Sequence, residues 1–432
     1  MMMKASALKK AVLNGDYDKL FARLYGEENV AMQQTRYATA ITRFVELYGD
    51  REAALFSAPG RTEIGGNHTD HNHGRVLAGS VDLDVIAVAA KAEGEISITS
   101  DGFGTDTVTV GEWEPVESED GHSASLVRGT AARFVQLGLQ VGGLCAYTTS
   151  NVLKGSGLSS SAAFEVLVGT MLNTFYNNET VSAVQIAQIA QYAENVYFGK
   201  PCGLMDQTAS AVGGIITIDF ADPAAPIIRQ VPFDFASAGC ALCIVDTGGC
   251  HADLTPDYAA VPAEMKAVAA QLGKTVLRET DRETVLENLP ALRTACGDRA
   301  VLRALHFFAE NDRVAAQVAA LENNDFAAFL DEIIASGRSS FEYLQNVYTT
   351  KKVEEQGLSL ALCLAEALLK GKGGWRVHGG GFAGTTQNFV PLAILPAFRA
   401  AMDNAFGEGH CYVLRIRPYG GICLDTVLKE EN

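Results

Sequence analysis

The chain has 432 residues, 48 % of them hydrophobic and 20 % charged, with a formal net charge of −17 and an isoelectric point near 4.9. That length exceeds what one hydrophobic core usually supports, so two domains are expected, and an acidic surface without any Lys/Arg cluster excludes nucleic acid and anionic lipid as partners. No charged segment followed by an apolar stretch opens the sequence and no apolar run is long enough to span a bilayer, which excludes secretion and membrane insertion and makes the cytoplasm the expected location.

Helical spacing of Tyr37, Ile41, Phe44, Val45 and Tyr48 makes residues 1–50 a polar-faced helical segment. Ala53–Ala58, Val81–Ala90 and Ile96–Ser100 read as strands, Val127–Leu137 as helix and Leu144–Asn151 as strand. A Gly/Ser loop then leads into helical patterns over Ser160–Tyr176 and Val181–Phe198, and strand character resumes over Val212–Phe220. The Pro-containing stretch Ala221–Asp234 separates the halves. Helices dominate from Val261 to Leu369, between strand-like runs at Ala241–Asp246 and at Trp375–His378, Asn388–Ile394 and Cys411–Ile416. Mixed order of this kind predicts two α+β halves rather than one doubly wound sheet. Nine scattered cysteines predict reduced thiols rather than a disulfide framework. The one CxxC, Cys240 and Cys243, lies in an apolar run and reads as buried strand rather than a metal or redox site.

Three clusters carry chemistry. Gly155, Ser156, Gly157, Leu158, Ser159, Ser160 and Ser161 form a Gly/Ser loop between a strand and a long apolar helix. Glycines let the backbone approach an anion, the helix start presents free N–H groups, and the hydroxyls can bond phosphate or a divalent cation. A Walker A loop is excluded by spacing, and phosphate binding is favoured over a linker. The second cluster, Pro59–Gly74, crowds Arg61, Asn67, His68 and Asp70 into a glycine-punctuated, irregular segment. Sugar hydroxyls, a metal held by His68, His71 and His73, or solvated loop histidines all suit its residue types. In the third, Asp206 follows Pro201 in an apolar turn, placed to act as a base with Arg61 beside it or to cap a helix. Glu194 ends a helix and can ligand Mg²⁺. A weaker feature is the glycine-rich turn His378–Gly384.

In this order and spacing the clusters resemble the GHMP small-molecule kinases, specifically their galactokinase branch, over most of the chain from Ala53 to Cys423. Pro59–Gly74 resembles that branch's sugar signature, Lys154–Glu165 its ATP loop, Pro201–Gln207 the segment with the catalytic aspartate, and Gly379–Gly384 the third family motif. The resemblance implies an N-terminal ribosomal-protein-S5-like domain (residues 51–225, after the extension 1–50). It further implies a C-terminal ferredoxin-like α+β domain (residues 226–432) and an active site in the cleft between the two. It also implies ATP and Mg²⁺, a sugar as the other small-molecule partner, and a monomer or weak homodimer. Asp206 would accept the proton of the anomeric hydroxyl, Arg61 would keep Asp206 ionised, and Ser160 and Glu194 would hold Mg²⁺. Asn67, His68, Asp70, Gly203 and Tyr258 match sugar-binding positions.

There are departures. Asn67 and His71 stand where the branch has Glu and Tyr, and Cys250 and Pro262–Glu264 stand where basic residues are usual. Galactose is the implied acceptor. Galacturonate is the alternative, because Asn67 lacks the negative charge that would repel a 6-carboxylate. A silent galactose sensor is disfavoured by the retained Asp206 and Arg61.

Overall fold

The computed structural model describes residues 2–152, 157–200, 202–249 and 254–430. Gly155 and Ser156 of the Gly/Ser loop, and Cys250, lie outside the described residues.

A short strand, β1 (Met3–Lys4), precedes three helices, α1 (Ala5–Leu13), α2 (Asp18–Tyr25) and α3 (Val30–Tyr48). Strands β2 (Glu52–Gly65) and β3 (Arg75–Lys91) then form a long antiparallel hairpin. After β4 (Glu95–Ser100), β5 (Gly104–Thr109) and α4 (Ser123–Gln136), β6 (Leu144–Ser150) enters between β3 and β4, parallel to β4, to give the order β1-β2-β3-β6-β4-β5. Helices α5 (Ser160–Tyr176), α6 (Ala183–Tyr192) and α7 (Met205–Val212) follow, and β7 (Ile215–Asp219) and β8 (Ile227–Gln230) extend the sheet from the start of β3.

Period-two alternation explains why this sheet is covered on both faces. Ala54, Phe56, Ala58, Ala87 and Ala89 join the core under α4–α7. Their neighbours Ala53, Leu55, Ile86, Val88 and Ala90 join a second core under α1–α3, with Tyr37, Ile41 and Phe44.

The second sheet holds β9 (Cys240–Asp246), β10 (Gly374–Val377), β11 (Thr385–Pro391) and β12 (Cys411–Leu414) in the antiparallel order β10-β11-β9-β12. Between β9 and β10 run α8 (Thr255–Gln271), α9 (Arg282–Glu287), α10 (Leu289–Cys296), α11 (Asp298–Glu322), α12 (Phe326–Ser339) and α13 (Gly357–Leu369). Helix α14 (Leu395–Phe406) precedes β12. Cys243 and Val245 pack against α13 and α14, whereas Leu242 and Ile244 face Phe329 and Ile333 in the core that continues into the first sheet. The chain finally returns: β13 (Ile422–Cys423) pairs with β2 at Ser57 and Phe56, ahead of α15 (Leu424–Glu430).

This is the α+β, two-sheet architecture that the element order predicts. Pro59–Gly65 is not irregular, however. It continues β2, with register shifts at Pro59/Arg61 and Glu63/Gly65. The predicted helix Val181–Phe198 ends its α-helical part at Tyr192 and continues as a π-helical turn, Ala193–Tyr197. Strands β5 and β8 escape prediction because they bury little: Val108 is the buried residue of β5 and β8 has none.

Asp84, fully buried on β3, ties the parts together. It accepts from Arg36 of α3 at 2.6 Å, from Arg417 at 3.0 Å, from Tyr25 of α2 at 2.6 Å, and from Ser57. Burial opposes its charge, but the two guanidinium groups outweigh that and hold its carboxyl below the usual range. Among the described residues no helix is long and apolar enough to cross a membrane.

Candidate active site

The shift between Pro59 and Arg61 brings β2 against the loop that leads into α5. A Cβ on Gly60 would lie 2.8 Å from the Leu158 carbonyl, and the Arg61 N–H donates to that carbonyl at 3.0 Å. So anchored, Arg61 reaches α7. Its Nε donates to Asp206 Oδ1 at 2.7 Å and its Nη2 to Oδ2 at 2.6 Å, a bidentate pair. Its Nη1 donates to the Gly157 carbonyl. The Arg61 side chain is 9 % exposed and that of Asp206 29 %, so the carboxylate is the more exposed partner. Desolvation resists the charge on Asp206, yet Arg61, the Ser159 hydroxyl and Lys200 prevail and hold its carboxyl below the ordinary value. Asp206 is the second residue of α7, not a turn or cap residue.

Ser159, in left-handed backbone, precedes the first turn of α5. Ser160 and Ser161 line a cavity of about 630 Å³ whose other walls include Val85, Phe103, Leu126 and Phe164. Apolar walls suit a flat ring, and a helix start with hydroxyls suits phosphates. Ser161, rather than Ser160, donates to Glu194 Oε1, at 3.2 Å. The π-helical turn carries Glu194 inward, where Gln207 Nε2 holds its Oε2 at 2.7 Å and reaches Glu165 at 3.3 Å. Burial, then the charge of Glu194, push the Glu165 carboxyl well up. Lys200 Nζ donates to Glu194 Oε1 at 2.8 Å. Sequence reasoning passed over Gln207, Glu165 and Lys200. A lysine between Glu194 and Asp206 was the available signal.

Asn67 is fully buried and fully occupied. Its amide donates to Glu63 Oε1 at 3.0 Å and to the Gly379 carbonyl at 2.6 Å, while its oxygen accepts from Ser340 and Asn346. Glu63 in turn pairs with buried Arg376 at 2.7 Å. His68, also in left-handed backbone, donates Nε2–H to the Gly380 carbonyl at 3.0 Å. Burial lowers its pKa to about 4, so the ring is neutral and Nδ1 is an acceptor. His71 is exposed, and among the described residues no three His, Cys, Asp or Glu side chains converge as a metal site. Asp70 lies so close to Gly203 that a Cβ there would collide with its carboxylate, which brings the sugar signature against the segment before α7. Tyr258, on α8, donates to the Gly381 carbonyl at 2.6 Å and stacks edge-on with Phe382. The Gly379–Gly384 turn thus meets Asn67, His68 and Tyr258 at one place.

Residues 42–91 match the galactokinase galactose-binding signature and residues 125–214 the GHMP kinases N terminal domain. A galactokinase of Streptomyces coelicolor is 33 % identical to this chain, covering 84 % of it and 91 % of the relative. The crystal structure of Lactococcus lactis galactokinase complexed with galactose superposes with a TM-score of 0.76 at 25 % identity, over 90 % of this chain and 100 % of that one. A Methanococcus jannaschii mevalonate kinase, with a TM-score of 0.59 at 14 % identity over 84 % of this chain and 98 % of its own, shares the fold. Fold, signature and overall identity agree, and the chain belongs to the GHMP kinases, within their galactokinase branch.

Proposed function

We propose that the chain transfers the terminal phosphoryl group of ATP to the anomeric hydroxyl of galactose. The observation that carries this is the bidentate Arg61–Asp206 pair, set where the serine-rich start of α5 meets the sugar signature. Ionised Asp206 accepts the hydroxyl proton. The sugar oxygen bonds to the γ-phosphorus as the bond from that phosphorus to ADP breaks, and the electron pair leaves on ADP. The low basicity of Asp206 suits a loose transition state, in which the proton departs only as the new bond forms. Arg61 keeps Asp206 charged and faces the negative charge that builds on the transferring group.

Magnesium fits the donors beside α5. Glu194 offers a buried carboxylate, Ser160 and Ser161 offer hydroxyls, and the Glu194 oxygen already bears a cation, the Lys200 ammonium. When bound there, the ion neutralises phosphate charge. The chain divides, in this proposal, into a helical extension over residues 1–50 and kinase domains over 51–225 and 226–432.

Asn67 lends no support to a uronate acceptor, because its amide and its oxygen are both taken up by Glu63, Gly379, Ser340 and Asn346. ADP release measured over a panel of hexoses, uronates and N-acetylhexosamines tests the proposal. Galactose is expected to have the highest kcat/KM. No turnover on any member would defeat the kinase assignment, and a preference for galacturonate would reverse the acceptor.

A further inference from the structure

Lys200 helps to hold the Asp206 carboxyl low, yet its ammonium sits on the oxygen that a metal ion needs. Nζ donates to Glu194 Oε1 at 2.8 Å, the oxygen that also accepts from Ser161. The two partners differ in freedom. The Glu194 side chain is 3 % exposed and pinned through Oε2 by Gln207, whereas the Lys200 side chain is 60 % exposed on a flexible stem. The carboxylate is therefore fixed and the cation on it is removable. Two cations on one carboxylate oxygen repel each other, so an ion arriving at Glu194 displaces the ammonium. The released ammonium does not have far to go, because Ser161 lines the nucleotide cavity. On a chain of net charge −17, a local positive group beside phosphates counters an unfavourable general field.

Resting on the kinase function proposed above, we propose that Lys200 is a two-position cation. It occupies Glu194 in the empty site and moves onto the phosphate oxygens when metal and nucleotide bind. In its first position it keeps a buried carboxylate paired, and in its second it becomes a ligand of the nucleotide phosphates.

The test uses the full chain, as wild type and as K200M and K200R. Amine-specific labelling of Lys200, quantified by mass spectrometry, is compared for the free protein, with Mg²⁺ alone, and with Mg²⁺ plus ATP in the absence of sugar. Mg²⁺ alone is expected to raise labelling about twofold or more as the ammonium is released, and Mg²⁺ plus ATP to lower it below the free level. By calorimetry, K200M is expected to bind Mg–ATP about tenfold more weakly, the value of one charge-assisted hydrogen bond, with galactose affinity unchanged. K200R is expected to recover most of that loss. Wild-type kinase activity combined with labelling that neither addition alters, or with K200M affinity for Mg–ATP equal to wild type, overturns the proposal and leaves a surface ion pair. A wild type inactive on every sugar overturns the functional assignment itself.

Discussion

At Asp206 the balance between desolvation and an adjacent guanidinium sets the chemistry. Because Arg61 wins, the base form persists as pH falls through the ordinary carboxylate value of 3.8. The pH profile of kcat/KM is therefore expected to show no acidic limb from Asp206 above about pH 4, and a limb near neutrality that disappears with Asp206 would contradict this. Asp206→Asn keeps the shape and loses the charge. Single-turnover measurements are expected to show chemistry slowed about 10²- to 10⁴-fold, with ATP affinity little changed. Asn67 behaves differently from its sequence reading. Asn67→Glu would set a second carboxylate against Glu63, whose own carboxyl is already pushed up by burial. Urea denaturation is expected to show a loss of about 2–4 kcal/mol, while an unchanged midpoint would show that the amide contacts are dispensable. Arg61, Asp206 and Glu194 stood out as residue types, but the roles expected of them came from the order of the motifs, since Asp206 alone suited a helix cap as well as a base. The partners of Asn67 were not, since Ser340, Asn346 and Gly379 lie hundreds of positions away and only folding gathers them.

Among the elements, the most readable were those with a strong burial pattern. The central strands are covered on both faces and read as apolar runs, and α3 shows its buried stripe directly. Less readable were elements whose shape depends on a neighbour. The extension of β2 through Gly65 follows from pairing with β3, which outweighs the local preference of its glycines. The π-helical turn at Ala193–Tyr197 re-aims Glu194 and leaves no mark on hydrophobic periodicity. Helix α3 was legible as a helix but not as a brace. Its Arg36, 16 % exposed, supplies one of two cations on a carboxylate with no exposure at all. Arg36→Met is expected to cost about 3 kcal/mol in urea denaturation, as removing one partner of a buried pair does. A loss within about 0.5 kcal/mol would mean that Arg417, Tyr25 and Ser57 satisfy Asp84 unaided.

Across the whole molecule, Asp82 lies where the first sheet meets the second. It accepts from the Arg415 N–H at 3.0 Å and lines a cavity of about 500 Å³ shared by α2 and the edge of the second sheet. Burial raises its pKa to about 7. A carboxyl raised on folding stabilises the fold in acid, and that stabilisation is lost as pH rises through about 7. Asp82→Asn is expected to raise the Tm above neutrality by a few degrees while leaving it nearly unchanged in acid, as thermal melts at the two pH values will show. Equal effects at both would assign the change to packing. The Asp84 cluster also constrains the order of assembly. Arg417 is 333 positions downstream of Asp84, so on the ribosome the hairpin bearing Arg61 emerges long before the second cation for its buried carboxylate has been translated. Strand β13, which flanks β2, comes later still. A nascent chain halted anywhere in the second sheet therefore holds an unfinished first one, and phosphoryl transfer waits until Arg417 and β13 have been made.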